Sequence, residues 1–224
     1  MRLSLPLTVL ILFGASCEKA PSARVPAPPQ AAAETKTAPA QAAQASQPKV
    51  DSSGWLVSGP TDDGRFARCA GLSFEKPVEW PWVKPSMRFR TLQYSVPGTD
   101  GDGAAELIFS VFAAGDGGPV DANIDRWVGQ FSGTDGQPPR SERSSGEVAG
   151  MKYSQVELEG SYAGMGAAAP RPGWAQLGVI IQAPGRNVFI RLLGPDKTVL
   201  ANKDVFEKML QSTRSDIATG AEEK

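Results

Sequence analysis

Apolar positions follow three patterns in turn along the 224 residues. From Leu3 to Phe13 they run almost unbroken. From Glu18 to about Val50 nearly every side chain is Ala, Pro, Gln, Ser, Thr or charged, with almost no aliphatic group larger than Ala. From about Asp51 to Arg214 short apolar blocks return, and all five Trp and all three Tyr lie there. That last stretch is long enough for one core and too short for two ordinary domains.

Most of the blocks predict strands. "AELIFSVFA" (Ala105–Ala113) is apolar on both faces, as a central strand is. "YSQVELEGSY" alternates, with Val156, Leu158 and Tyr162 on one face and Glu157 and Glu159 on the other. "AQLGVIIQA" (Ala175–Ala183) and "NVFIRLLG" (Asn187–Gly194) flank Pro184-Gly185-Arg186, a hairpin connection. "MRFRTLQYSVP" (Met87–Pro97) leads through "GTDGDG" into the central strand as a second hairpin. "LSFEKP" and "VEWPWV" supply short edge pieces, where Pro77 and Pro81 are tolerated.

Two segments carry helical periodicity. "PVDANIDRWVGQF" sets Val120, Ile124, Trp127, Val128 and Phe131 on one stripe, with Pro119 suited to a first turn and Asp121 and Asp125 to the N-terminal dipole. "TVLANKDVFEKMLQST" gives a broad face of Val199, Phe206, Met209, Leu210 and Thr213. A break is expected near Asn202, with Asp204 and Glu207 restarting the helix as a capping box does. Amphipathic helices must cover a sheet, and at least five strands await cover. The expected class is therefore α+β, a mostly antiparallel sheet packed by helices, preceded by a disordered tether.

The paired hairpins, the helix between them, the closing "GPDKTV…FEKMLQS" and the domain length resemble the PsbP-like fold over roughly Leu72 to Gln211. "ANIDRWVGQF", "GSYAGMG" and "LLGPDKTV" are also similar to stretches of bacterial secreted proteins and lipoproteins. These are packing and turn motifs. PsbP proteins are non-catalytic accessories of a photosynthetic membrane complex, so the resemblance implies a binding module and transfers no functional residue.

The N-terminal run sets the expected address. Met1-Arg2 is positive, the apolar run is shorter than the roughly 20 residues of a spanning helix, and Gly14-Ala15-Ser16 are small. Small residues directly before Cys17 resemble the lipobox of bacterial lipoproteins, in which the cysteine is diacylated and becomes the first mature residue. An ordinary secretory signal cut nearby is the rival reading. The expected organisation is a signal peptide at 1–16, a lipidated Cys17 with an Ala/Pro-rich linker at 17–50, one globular domain at 51–214 and a frayed tail at 215–224. The linker cannot bury enough apolar surface to order itself. Two or more acyl chains on Cys17 would hold the protein on a membrane, in the cell envelope and facing the periplasm or exterior.

Composition narrows the chemistry. The chain has no His, which removes Ser-His-Asp and Cys-His catalysis and the commonest transition-metal ligand. With two Cys, one of them Cys17, neither a disulfide within the mature domain nor a cysteine zinc site is expected. Lys and Arg number 23 against 24 Asp and Glu, and no basic run points to nucleic acid. No phosphate loop or nucleophile elbow occurs. No cofactor and no metal are expected.

Each remaining candidate has a structural rival. Asp100 and Asp102 could face a cation or simply build a polar turn. Glu157 and Glu159 could act as paired carboxylates or line a solvated sheet face. Asn123, Asp125 and Arg126 read as helix surface or a structural polar contact. Trp80 and Trp82 could stack on a sugar or peptide, or pack in the core. Cys69 reads as a small buried hydrophobe, with intermolecular pairing as the alternative. The loop "GSYAGMGAAAPRPGW" (Gly160–Trp174) is longer than a hairpin requires, and long loops on rigid scaffolds carry binding. Its candidate binding residues are Tyr162, Met165 and Trp174.

The expected function is a non-catalytic, lipid-anchored binding or accessory module for an unidentified envelope protein. A small-ligand binder using the sheet face and the same loop is the alternative, and a carboxylate-based hydrolase the third reading.

Overall fold

Residues 54–133 and 136–216 are described by a computed structural model. They belong to one compact unit. The expected signal peptide, Cys17 and the Ala/Pro-rich linker lie outside the described residues, as does nearly all of the expected tail. Among the described residues no helix is long and apolar enough to cross a membrane.

The chain opens with a short hairpin, β1 (Phe66–Cys69) and β2 (Leu72–Glu75), followed by β3 (Leu92–Val96) and β4 (Ala105–Ala113). Helix α1 (Val120–Val128) leads through β5 (Phe131–Ser132) into three long strands, β6 (Arg140–Val148), β7 (Met151–Tyr162) and β8 (Arg171–Ala183). β9 (Arg186–Pro195), α2 (Asp196–Ala201), α3 (Lys203–Gln211) and β10 (Arg214–Ser215) complete the order.

Seven strands form one antiparallel sheet in the order β3-β4-β9-β8-β7, with β6 and β5 sharing the outer edge of β7. β1, β2 and β10 form a second, three-stranded sheet. This is the expected α+β class with a mostly antiparallel sheet. The β8–β9 register pairs Ala183 with Arg186 across Pro184-Gly185, as that hairpin signal predicts. Ala149 and Gly150, both with positive φ, close the β6–β7 hairpin in the same two-residue way.

Strand alternation divides the core in two. Leu107, Phe109, Leu177, Val179, Ile181, Val188, Ile190 and Leu192 point to one face of the large sheet. The small sheet and α3 cover that face with Leu72, Phe74, Phe206, Met209 and Leu210. Val156, Leu158, Ile180, Phe189 and Leu193 point to the other face, against Ile124 and Trp127 of α1. Nine residues of helix reach about 14 Å, whereas the 9 to 13 residues of β4, β8 and β9 reach about 30 Å or more. α1 therefore covers only part of its face.

Several local expectations are corrected. The strand expected from Met87 begins only at Leu92, because Arg90 N donates to Met87 O in a turn. "VEWPWV" is no strand and meets the sheet only at the isolated Trp82–Tyr94 bridge. The expected break in the last helix falls at Asn202, but no side chain caps the restart. Asn202 instead donates its Nδ2 to Thr198 O at 2.8 Å. β6 has no counterpart among the expected strands: "RSERSSGEV" is exposed at every position but Val148, so it carries no hydrophobic pattern.

Candidate functional site

The part of the sheet face that α1 leaves uncovered is a groove of about 920 Å³. Its floor consists of Glu106, Ile108, Ser110 and Phe112 from β4, with Phe189, Arg191 and Leu193 from β9. These are alternate residues of adjacent antiparallel strands, so one strand period places them together. Trp127, Arg126 and the following Gln130 line it from α1. Met87, Phe89 and Arg90 come from the turn before β3, and Gly164–Ala167 from the β7–β8 loop.

All three sequence-predicted binding residues line this groove. The Tyr162 ring stacks on Trp174 with centroids 5.4 Å apart and planes 10° from parallel. The Arg171 guanidinium lies over the other ring system of that pair, 4.8 Å from the Trp174 centroid. Such contacts contribute about 0.5–1.5 kcal/mol each beyond simple burial. The backbone prepares the stack at Gly160, where φ is 153° and a Cβ would sit 2.3 Å from Ser132 O. The β7–β8 register slips between Gly160 and Tyr162, a bulge that re-aims Tyr162. Met165 is 84 % exposed at the rim, with Phe89 at 66 % and Met87 at 57 % on the turn before β3.

The sequence reading missed the residue at the centre of the floor, Arg191. Its Nε donates to Gln176 Oε1 at 2.8 Å, and an Nη donates to the same oxygen and, at 3.0 Å, to Gln130 Oε1. Its guanidinium lies 5.3 Å from the Trp127 centroid. Both acceptors are neutral amides. Burial lowers the proton affinity of the guanidinium below the usual arginine value. The Tyr162 hydroxyl opposes that effect, and the nearby charges of Arg90 and Arg126 add to it. Arg90 approaches Glu106 at 3.1 Å, and Glu106 also accepts from Gln93 Nε2 at 3.0 Å. Among the described residues no carboxylate forms an ion pair with Arg126, Arg171 or Arg191. The available signal was a lone Arg inside the otherwise apolar "NVFIRLLG".

The other candidates take structural places. Asp100 and Asp102 build the β3–β4 turn, where Asp102 approaches Lys197 at 3.5 Å. Glu157 and Glu159 do not line a solvated face. Glu157 is largely buried and bonds Lys203 Nζ at 2.5 Å, while Glu159 bonds Arg140 at 2.8 Å. Asn123 is buried and donates Nδ2 to the carbonyls of Gly117, Gly118 and Pro119, tying the approach to α1. Asp125 bonds Arg143 of β6 at 2.7 Å. Cys69 is fully buried in β1 and Trp80 in the larger core, with Trp82 packed against it.

Trp80 and Trp82 also border a smaller cavity of about 230 Å³ beside Lys76. That ammonium donates to Gly64 O at 2.5 Å, Trp80 O at 2.8 Å and Pro77 O at 3.1 Å, and lies 4.4 Å from the Tyr94 ring centroid. Burial pushes its pKa down to about 8, against the pull of Glu79 and Asp63. The three carbonyls make it a strut between loops. Among the described residues no three His, Cys, Asp or Glu side chains cluster closely enough to hold a metal ion.

No family model matches the chain, and no curated protein matches it. Solved structures do. Cyanobacterial PsbP from Synechocystis is similar at 13 % identity over 70 % of this chain and 96 % of its own, with a TM-score of 0.45. A protein of unknown function from Pseudomonas aeruginosa aligns at 11 % identity over 66 % of this chain and 93 % of its own, with a TM-score of 0.41. LpqN of Mycobacterium tuberculosis, described as involved in cell envelope biogenesis, aligns at 16 % identity over 68 % of this chain and 85 % of its own, with a TM-score of 0.40. These are likenesses of architecture and assign no role to this chain.

Proposed function

We propose that this protein is a non-catalytic binding module of the bacterial cell envelope, tethered through an acylated Cys17, that receives its ligand in the sheet-face groove. The observation that carries the reading is the groove itself. Its volume falls in the 300–1,000 Å³ range of small-molecule sites, and aromatic side chains from six different segments line it. A concave aromatic site favours a small ligand over a flat protein surface, so the small-ligand reading takes precedence over capture of an envelope protein. Glu106 is the one carboxylate of the lining, and it already holds Arg90, so the two-carboxylate chemistry of a glycosidase finds no pair there. Adaptable Met87 and Met165 at the rim suit an apolar ligand of variable shape.

The test uses a neutral apolar fluorophore, N-phenyl-1-naphthylamine, titrated into the purified full chain. Saturable binding at one site is expected. Ser110→Trp, which places an indole on the groove floor, should abolish it while leaving the far-ultraviolet circular dichroism unchanged. Unimpaired binding by that variant would place the site elsewhere, and no saturable binding by the parent chain would refute the groove as a ligand site.

A further inference from the structure

The groove is positively charged in a chain that is close to neutral. Its lining holds four arginines, Arg90, Arg126, Arg171 and Arg191, against the single carboxylate of Glu106, while the whole chain has a formal net charge of −1. Arg90 has its counter-ion in Glu106. The other three have none among the described residues.

Arg191 makes the imbalance informative. Arg191 is half-buried, and a guanidinium partly withdrawn from water is costly unless it is paired, for which folded proteins ordinarily supply a carboxylate. Here two amide oxygens and an indole face hold the side chain in place without cancelling its charge. The arrangement fixes a cation at the floor of an apolar groove. Arg171, laid over Trp174, and Arg126, on α1, place two further cations around the same volume. Phe112, Phe189 and Leu193 provide an apolar bed beside them.

Resting on the ligand-binding reading above, we propose that the groove takes a long-chain anionic amphiphile, with its acid head group on Arg191 and Arg171 and its hydrocarbon chain along Phe112, Phe189 and Leu193. The head group completes the missing charge pair, and the chain covers the aromatic floor that α1 leaves open. Carboxylate and phosphate head groups present the same charge-assisted acceptors to a guanidinium fork.

Isothermal titration of the full chain, with five probes of which three share one twelve-carbon chain, tests this. Dodecanoate, dodecyl phosphate and dodecyltrimethylammonium are compared with inorganic phosphate and an acidic peptide. The two chain-bearing anions should bind about tenfold or more tightly than the cation, the loss expected when a charged hydrogen bond is removed. Their ratio to each other tells a fatty-acid source from a phospholipid-type source. Arg191→Gln should weaken both anions by about tenfold. Dodecyltrimethylammonium is titrated into the same variant, and a larger loss for the two anions than for this cation separates a failure of charge recognition from a failure of the groove. Arg171→Gln, at an exposed position, provides the same comparison if the floor variant does not fold. Equal affinity for anion and cation, or anion binding unchanged in the foldable arginine variant, would overturn the proposal. So would tight binding of inorganic phosphate or of the acidic peptide without dodecanoate binding.

Discussion

Trp127 forms the α1 wall of the groove by lying flat on a position of β8 that has no side chain. A Cβ added at Gly178 would stand 2.7 Å from Trp127 Cζ3, 2.8 Å from its Cε3 and 2.7 Å from Gln176 Nε2. Carbon atoms pack best at about 3.5–4.0 Å, so Gly178→Ala forces the indole back by roughly 0.8 Å. The ring cannot yield freely, because Phe189 meets it edge-on at 6.0 Å and the Arg191 guanidinium covers it. Overpacking of this kind costs about 1–3 kcal/mol. Loss of glycine's freedom in the unfolded chain returns about 0.4–1 kcal/mol. The net loss of about 1–2 kcal/mol corresponds to a fall of about 2–8 °C in the thermal midpoint for a domain of this size. Differential scanning calorimetry measures the fall, and naphthylamine affinity should drop with it as the wall moves. Adding Trp127→Phe should recover part of the loss, with a coupling of at least about 0.5 kcal/mol in the double-mutant cycle. An unchanged or raised midpoint for Gly178→Ala, or strict additivity with Trp127→Phe, would refute this packing.

Two further predictions bear on other parts of the chain. The pKa of Lys76, about 8 in the folded protein, lies below the ordinary 10.5, so the unfolded state binds more protons between those values. Unfolding free energy in urea should therefore rise from pH 8 toward pH 10, and Lys76→Met should flatten that rise; a flat profile in the parent would contradict the burial of this ammonium. Above about pH 10 the Tyr94 phenol, which burial holds above its usual value, acts in the opposite sense. At the N-terminus, Cys17→Ser should abolish membrane attachment and lipoprotein-type processing. Intact mass of the parent protein should show acyl groups on Cys17, and an unlipidated N-terminus elsewhere would end the anchor reading.

The elements that bury apolar side chains were legible in the sequence. β8 and β9 are apolar on both faces, and α1 carries its stripe of Ile124 and Trp127, because each must match a core on a fixed period. β6 was illegible for the opposite reason: its side chains face water, and only backbone pairing with β7 defines it. The three aromatic and methionine positions of the candidate site were found because a long loop between strong strands is a local feature. Convergence of that loop with the 87–90 turn was not readable, since periodicity says which face is apolar and not which distant segment approaches it. Arg191 fell between the two cases. A single Arg in an apolar strand marks a half-buried charge, but its amide partners Gln176 and Gln130 lie 15 and 61 residues away.

The five tryptophans allow the ligand site to be located in one spectrum. Trp127 and Trp174 line the groove, whereas Trp80 and Trp82 border the smaller cavity beside Lys76 and Trp55 packs against the larger core. Nitrogen-15 labelling of the indoles in the full chain, followed through a titration with dodecanoate, gives one signal per tryptophan. The account predicts saturable shifts of the Trp127 and Trp174 signals, with the other three unmoved. Shifts confined to Trp80 and Trp82, or no shift at any indole, would contradict it.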